Sequence, residues 1–521
     1  MARPGFVLEV DDRTPPLVVN DGPRVRLERF PLGTEVLYPA ESLARIDDLA
    51  AGIDAALAAP VDAEPLTDKL RPGMKLTIAF DDVSSTPPMR AAGQAQDAPD
   101  VRGRIIERVL MLAAAAGVDD VSLVCANGLN RRNTEAELRL LLGERVFRSF
   151  YADGKLTNHD AETAGPDTGD LNPRVAASDL LIFVHIARGL AADAAGTGAA
   201  GVTIGQGAIR DGGLAAAAAG LSSVDVIRTG GVPAGLEALD VFSVDAVLDN
   251  EHYPSAVDFL GRREWEWSLK SQAKLLGLRR ATSIAPWRSA RALSNRLGTG
   301  YGVTRVTAGA PQAVAEASRE RVLEQQQVEV SGQADVLVVG VPAVTAHSVG
   351  SVTNPVLAAW QALGVSLRAV TGDPLVRDGG AVIVYHPLAA DFSTLHHPST
   401  VDFFADVLPA STDSSGIGPQ PETVRQFESK FAEDPWYDQL YRTSQAFHGL
   451  HPFRLWYQLS AAVERVGDVI FVGADRDSAA RLGFRAASTL ADALEITSAT
   501  VGRSPKIRYL HTPPNALGAV R

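Results

Sequence analysis

Hydrophobic residues follow two rhythms along this chain. Near-continuous apolar runs of strand length occupy 75–80, 121–126, 180–185, 334–340, 379–385 and 468–473, and each gives way to a loop rich in Gly, Asp, Asn or His. Runs of this kind mark strands buried on both faces of a parallel sheet. Between them, apolar residues recur at helical spacing. Leu43, Ile46, Leu49, Ile53 and Leu57 predict a helix over 42–58 with Ser42 as its cap. Ile105, Ile106, Val109, Leu110 and Leu112 predict another over 102–115, ended by Gly117. Further helices are expected over 262–278, 311–327, 355–363 and 400–407. The first 40 residues alternate instead, as in Phe6–Val10 and Arg24–Glu28, and predict a small β segment. The expected fold is therefore α/β, with mainly parallel sheets flanked by helices in two domains and a cleft between them. A Gly- and Ser-rich stretch around 290–310 sets the expected domains at 1–290 and 291–521.

Open α/β sheets carry their chemistry in loops at the carboxyl ends of strands. The run 75–80 opens into Asp81, Asp82, Val83, Ser84, Ser85, Thr86, two prolines, Met89 and Arg90. That loop is the first candidate site, against a plainer reading in which the two acids cap the next helix. The run 121–126 opens into Asn127, Gly128, Leu129, Asn130, Arg131, Arg132, Asn133 and Thr134, with Asn133 or Thr134 as cap of an acid-headed helix. The third run ends at His185 and leads to small residues that include Gly196, Gly198 and Gly201. A dinucleotide fingerprint needs a strand just before such glycines and a helix just after; here Ala-rich sequence precedes and Val202-Thr203-Ile204 follows.

Composition narrows the partners. The 521 residues are 46% hydrophobic and 21% charged, enough for two or three domains. A formal charge of -13 argues against nucleic acid or an anionic membrane and leaves a small anionic ligand as the expected partner. The single cysteine, Cys125, lies in an apolar run, so no internal disulfide can form. No run reaches the roughly 18 apolar residues of a membrane span, and a soluble, cytoplasmic protein is expected. The ten histidines show no zinc spacing, and neither a Walker A nor a Gly-x-Ser-x-Gly motif occurs. His386 closes a strand, and His396 and His397 follow in a loop; each reads as an acid/base group, a ligand or an ordinary loop residue.

In these motifs the chain resembles the nickel-dependent lactate racemase family along most of its length. Asp82-Val83-Ser84-Ser85-Thr86 stands where the family has Asp-x-Thr-Arg-Pro, with Pro88 and Arg90 close by. Gly128-Leu129-Asn130-Arg131, followed by Thr134-Glu135-Ala136-Glu137-Leu138, stands where the family has a Gly-aromatic-or-Leu-His-Arg loop opening a Thr-x-x-Glu-Leu helix, with Asn130 in place of the catalytic histidine. Asn172 to Ile182 resembles the strand before the cofactor-attachment region, and Ala334 to Pro342, Asn354 and Gly379 to Val384 follow the second half. The family's tethering lysine has no counterpart, since no lysine occurs between Lys155 and Lys270; Ala208 stands near its histidine ligand, and His185 matches neither family histidine.

The resemblance implies a reaction in which a hydride leaves the α-carbon of a 2-hydroxy acid for a nickel-pincer ring while a histidine removes the hydroxyl proton. With those residues replaced, no covalent nickel-pincer nucleotide is expected. Asn130 cannot act as a base but can orient a ligand. The expected catalytic residues are Asp82, Asn130 and His386; the expected substrate-binding residues are Ser84, Ser85, Arg90, Gly128, Arg131, His396, His397 and Asn354. Arg131 reads either as an anion-binding fork or as a surface partner of Glu135. The expected function is a diverged isomerase acting on a small hydroxy acid or related polar metabolite. Its rivals are a non-catalytic binder of a small anion or nucleotide, and an enzyme using a dissociable nucleotide or another metal through His386, His396 or His397. Elemental analysis of protein from its native host is expected to find nickel well below stoichiometry.

Overall fold

The computed structural model describes residues 3–84, 99–161, 171–188, 236, 238–251, 253, 257–284, 301–343, 345, 347–349, 353–367, 369–410, 421–511 and 516–521. The G-x-G-x-x-G stretch lies outside them. The strands begin with β1 (Phe6–Glu9), β2 (Leu17–Gly22), β3 (Arg24–Glu28), β4 (Glu35–Tyr38), β5 (Lys75–Asp81) and β6 (Asp120–Ala126). Next come β7 (Leu156–Asn158), β8 (Leu180–Ala187), β9 (Val241–Leu248), β10 (Val303–Gly309), β11 (Gln327–Val330) and β12 (Ala334–Pro342). Last are β13 (Val376–Tyr385), β14 (Asp468–Val472), β15 (Arg485–Ala487), β16 (Ile507–Leu510) and β17 (Leu517–Val520).

Among the described residues these form two large sheets and a small pair. The first sheet has the order β10-β9-β8-β5-β6-β7, parallel except where β10 meets β9. The second runs β1-β4-β16-β12-β13-β14-β15, with the β2–β3 ribbon attached to β12. The parallel pair β11–β17 stands apart. Sheet membership does not follow the expected break at 290 and 291: β10 closes the first sheet, whereas β1, β2 and β4 complete the second.

Burial explains the apolar runs. Ile78, Phe80, Leu123 and Val184 face the helices Val101–Ala115 and Glu135–Tyr151, while Ala79, Val124, Leu181 and Phe183 line a smaller cluster on the opposite face. In the second sheet Leu337, Val339, Val382 and Val384 pack with Trp360, Phe453 and Trp456, and Val336, Val338 and Ile383 form the other face. Asp100 caps the helix that follows β5, and a reciprocal Thr134–Glu137 capping box starts the one that follows β6. The helix expected from Ser42 begins only at Leu49, where Asp48 caps it. The one expected over 262–278 becomes a 3-10 turn at Glu264–Glu266 followed by the helix Leu269–Ile284.

The helices after β5 and β6 cross closely at Gly103. A Cβ there would lie 2.3 Å from the Leu141 carbonyl oxygen and 2.9 Å from Leu142 Cα, both backbone atoms that cannot swing aside. Gly103→Ala is expected to cost about 1–3 kcal/mol, read as a lowered urea midpoint with unchanged slope.

Candidate functional site

The end of β5 is fixed from below by one guanidinium. Arg102 is fully buried; it pairs with both oxygens of Asp100 and donates to the carbonyl oxygens of Asp81 (3.1 Å) and Asp82 (3.0 Å). The two consecutive acids then serve opposite neighbours. Asp81 Oδ2 accepts from His185 Nδ1 at 2.7 Å and from the Ile186 backbone N–H at 2.9 Å, on the β8 side. Asp82 Oδ2 accepts from Asn130 Nδ2 at 3.1 Å, on the β6 side. Gly128, with φ +52°, allows the tight turn in which Asn130 N–H reaches the Asn127 carbonyl, and so brings Asn130 back over β5. Asn130 Oδ1 and the Ser84 hydroxyl are buried without a protein partner.

The loops after β12 and β13, with the helix His451–Val463, form the opposing wall. His451 Nε2 and His347 Nδ1 lie 3.2 Å apart, and Phe447 stacks on His397 with centroids 4.7 Å apart. Asn354 caps the helix after β12 through Oδ1, leaving Nδ2 buried without a protein partner. One turn along from His451, Arg454 is almost wholly buried and within electrostatic reach of Asp82. The walls are stitched directly: the His448 N–H donates to the Leu129 carbonyl at 3.2 Å, and the Ser444 hydroxyl to the Asn133 carbonyl at 3.3 Å.

Burial sets the electrostatics. It pushes the Arg454 guanidinium down to about 10, with Asp82 opposing the shift. His347 falls to about 3 through burial and the Arg454 charge, His448 to about 4 through burial, and His451 well below its ordinary value for the same reason. The buried Arg454 cation beside imidazoles that burial keeps neutral suits an anion. Among the described residues, no group of three or more His, Cys, Asp or Glu is arranged to hold a metal ion.

Of the residues singled out in the sequence, Asp82, Ser84, Gly128 and Asn130 meet at one strand end, and His397 and Asn354 lie on the opposing wall. Ser85 and Arg90 fall outside the described residues. Three others are engaged with the protein itself. His386 turns to β2, its ring 3.2 Å from where a Gly22 Cβ would be and its Nδ1 accepting the Leu388 N–H. His396 Nδ1 is held 2.6 Å from the Gln445 carbonyl and anchors that loop. Arg131 is buried, and its fork pairs with Glu137, the acid of the capping box, rather than with Glu135. Sequence reasoning missed Arg454, His347 and His451. The spacing of His451 and Arg454, three residues apart on one helix face beside a proline, was the available signal.

The buried histidines bind protons in the unfolded chain near pH 6.5 but not in the fold until about 3 for His347 and about 4 for His448. The unfolded state therefore holds more protons in that window, so stability is full above about pH 6.5 and falls by up to ~1.4 kcal/mol per pH unit for each such histidine as pH drops. His347→Gln is expected to flatten the decline of Tm between about pH 6.5 and 4 in calorimetric scans.

Residues 29–168 match the family model of the lactate racemase N-terminal domain. The fold is similar to that of the lactate racemase apoprotein from Thermoanaerobacterium thermosaccharolyticum, with TM-score 0.57 and 14% identity over 97% of this chain and 100% of that one. A Thermotoga maritima protein of solved structure matches at TM-score 0.44 and 10% identity, over 92% of this chain and 100% of that one. No curated protein sequence matches. Among the described residues no helix is long and apolar enough to cross a membrane. Residues 29–168 thus match the lactate racemase N-terminal domain, and the fold of the chain is similar to that of a lactate racemase.

Proposed function

We propose that this chain is a cytoplasmic racemase- or epimerase-like isomerase whose ligand is a small 2-hydroxy acid or related polar anion, held between the β5 end and the Arg454 helix. The observation that carries the reading is Arg454 itself, a buried cation facing Asp82 among neutral histidines. Its planar fork suits a carboxylate, and the charge-assisted pair is strongest where water is excluded. Asn130, with its amide nitrogen on Asp82, offers Oδ1 to a ligand hydroxyl. Asn354 Nδ2 and the His347 ring supply further polar contacts from the opposite wall.

The residues do not fit the family's tethered nickel-pincer nucleotide. No lysine lies between Lys155 and Lys270 to carry it, the Asn130 amide is bonded to Asp82, and the Arg454 charge opposes a second cation in the site. The same departures favour a second reading, in which the chain binds a small anion or nucleotide without turnover.

Thermal-shift and calorimetric titration with D-lactate, L-lactate, glycolate and malate test the reading. Arg454→Gln is expected to weaken binding of the preferred acid by roughly 1.5–3 kcal/mol and Asn130→Ala by about 0.5–1.5 kcal/mol. Interconversion of enantiomers on a chiral column supports the isomerase; binding without interconversion supports the second reading; no binding of any of these acids removes the hydroxy-acid assignment.

A further inference from the structure

We propose that the carboxyl end of β16 carries a socket for a small carboxylate, filled here by the chain's own Glu264, and that the turn bearing Glu264 is a latch which a free carboxylate can replace. The residues are not those of the ligand site proposed above, and the inference stands apart from the hydroxy-acid reading.

Topology places the socket. In the second sheet the chain runs outward from β12 through β13 and β14 to β15, then returns to β16 on the other side of β12, and all these neighbours are parallel. The reversal between β12 and β16 is a switch point, beyond which open α/β sheets take their ligands. There β16 passes into His511, whose backbone N–H donates to the Leu37 carbonyl of β4 at 3.2 Å, and the His511 and Tyr38 rings lie with centroids 4.4 Å apart. Val18 of β2 closes the third side, its carbonyl taking the Tyr509 hydroxyl.

Three donors converge on one carboxylate. Glu264 Oε1 accepts from the Val18 N–H at 2.7 Å and from His511 Nε2 at 2.8 Å, while Oε2 accepts from the Tyr38 hydroxyl at 2.8 Å. Both oxygens are therefore engaged by groups fixed on the second sheet. Burial raises the Glu264 carboxyl, but the His511 charge and the donors outweigh it and hold the group below the usual carboxylate range, so the anion is the bound form.

What fills the socket is one side chain from a segment that leaves the first sheet after β9 and re-enters it at β10. Glu264, on the 3-10 turn Glu264–Glu266, is 6% exposed, yet Gly261, Arg262, Trp265, Glu266, Ser268 and Leu269 around it are exposed. The segment's apolar anchors, Phe259, Leu260 and Leu275, pack with Val25 and Leu27 of β3 and lie on either side of the turn. They can stay in place while residues 262–268 lift. Besides Glu264, the turn is held by Arg263, 4.0 Å over the Phe6 ring, and by Glu266, which accepts from the half-exposed Arg3 at 2.6 Å. Water competes for both of those contacts.

Hydrogen exchange of the full-length chain, read by mass spectrometry, tests the latch. Amides of 262–268 are expected to exchange about tenfold or more faster than those of β16, because their opening is local. Sodium acetate, given well above the roughly millimolar effective concentration of a tethered group, should speed them severalfold further, and equal sodium chloride should not. The socket is tested by Glu264→Ala, which is expected to lower Tm. Acetate replaces the lost methylene and carboxylate and should restore about half or more of that loss, whereas acetamide and chloride should not. A variant indifferent to acetate, or stabilised by it no more than the wild type is, overturns the socket. Exchange of 262–268 no faster than that of β16, or accelerated equally by chloride, overturns the latch and leaves Glu264 a structural link. If Glu264→Ala fails to fold, the wild-type exchange decides alone. None of these readouts involves Arg454 or a hydroxy acid, so failure here leaves the earlier reading standing.

Discussion

The site depends on a charge buried where water cannot reach it. Arg102 can remain ionised inside the first sheet's helical layer only because Asp100 meets it with both oxygens and two strand-end carbonyls take further donors. Removing one member of such a pair typically costs about 3–5 kcal/mol, because the other is left charged and desolvated. The consequence for the site is directional. With their carbonyls tied down, Asp81 and Asp82 have no freedom to exchange partners, and one strand end presents a histidine on one side and an asparagine on the other.

This division of labour was only partly legible in the sequence. The apolar runs placed β5, β6, β8, β12, β13 and β14, because strands buried on both faces tolerate little polarity along their length. Thr134 and its acids announced a helix start, and Asp82 and Asn130 were paired through a motif resemblance. Asp81 reads in the sequence only as part of a polar loop, as a site residue or a helix cap, since its partner is on a strand more than a hundred residues away and no local pattern records such a contact. Arg454 and His347 escaped for the same reason. Arg131 misled in the other direction: a permanently charged fork in a polar loop reads as a ligand hook, yet here it is spent on Glu137. The glycines and serines around 290–310 suggested a boundary, but composition says nothing about which sheet the next strand will join.

The electrostatic character of this region follows from what the residues of the two sheets contribute. The first sheet supplies acids already committed to neighbours, and the second supplies a guanidinium and imidazoles that burial keeps uncharged.

The way the two sheets share the chain also orders its assembly. The strands of the first sheet all lie between Lys75 and Gly309, and they can pair as soon as that stretch has left the ribosome. The second sheet must wait. Its strand β4 is held by β16, and Arg508 donates to Glu35 across 473 residues of sequence. Loop closure over such a span comes late, after local contacts have formed. During synthesis, then, the amino-terminal strands β1 to β4 remain without their sheet while the first sheet matures behind them, and their unpaired edges are the part of the nascent chain most in need of a chaperone.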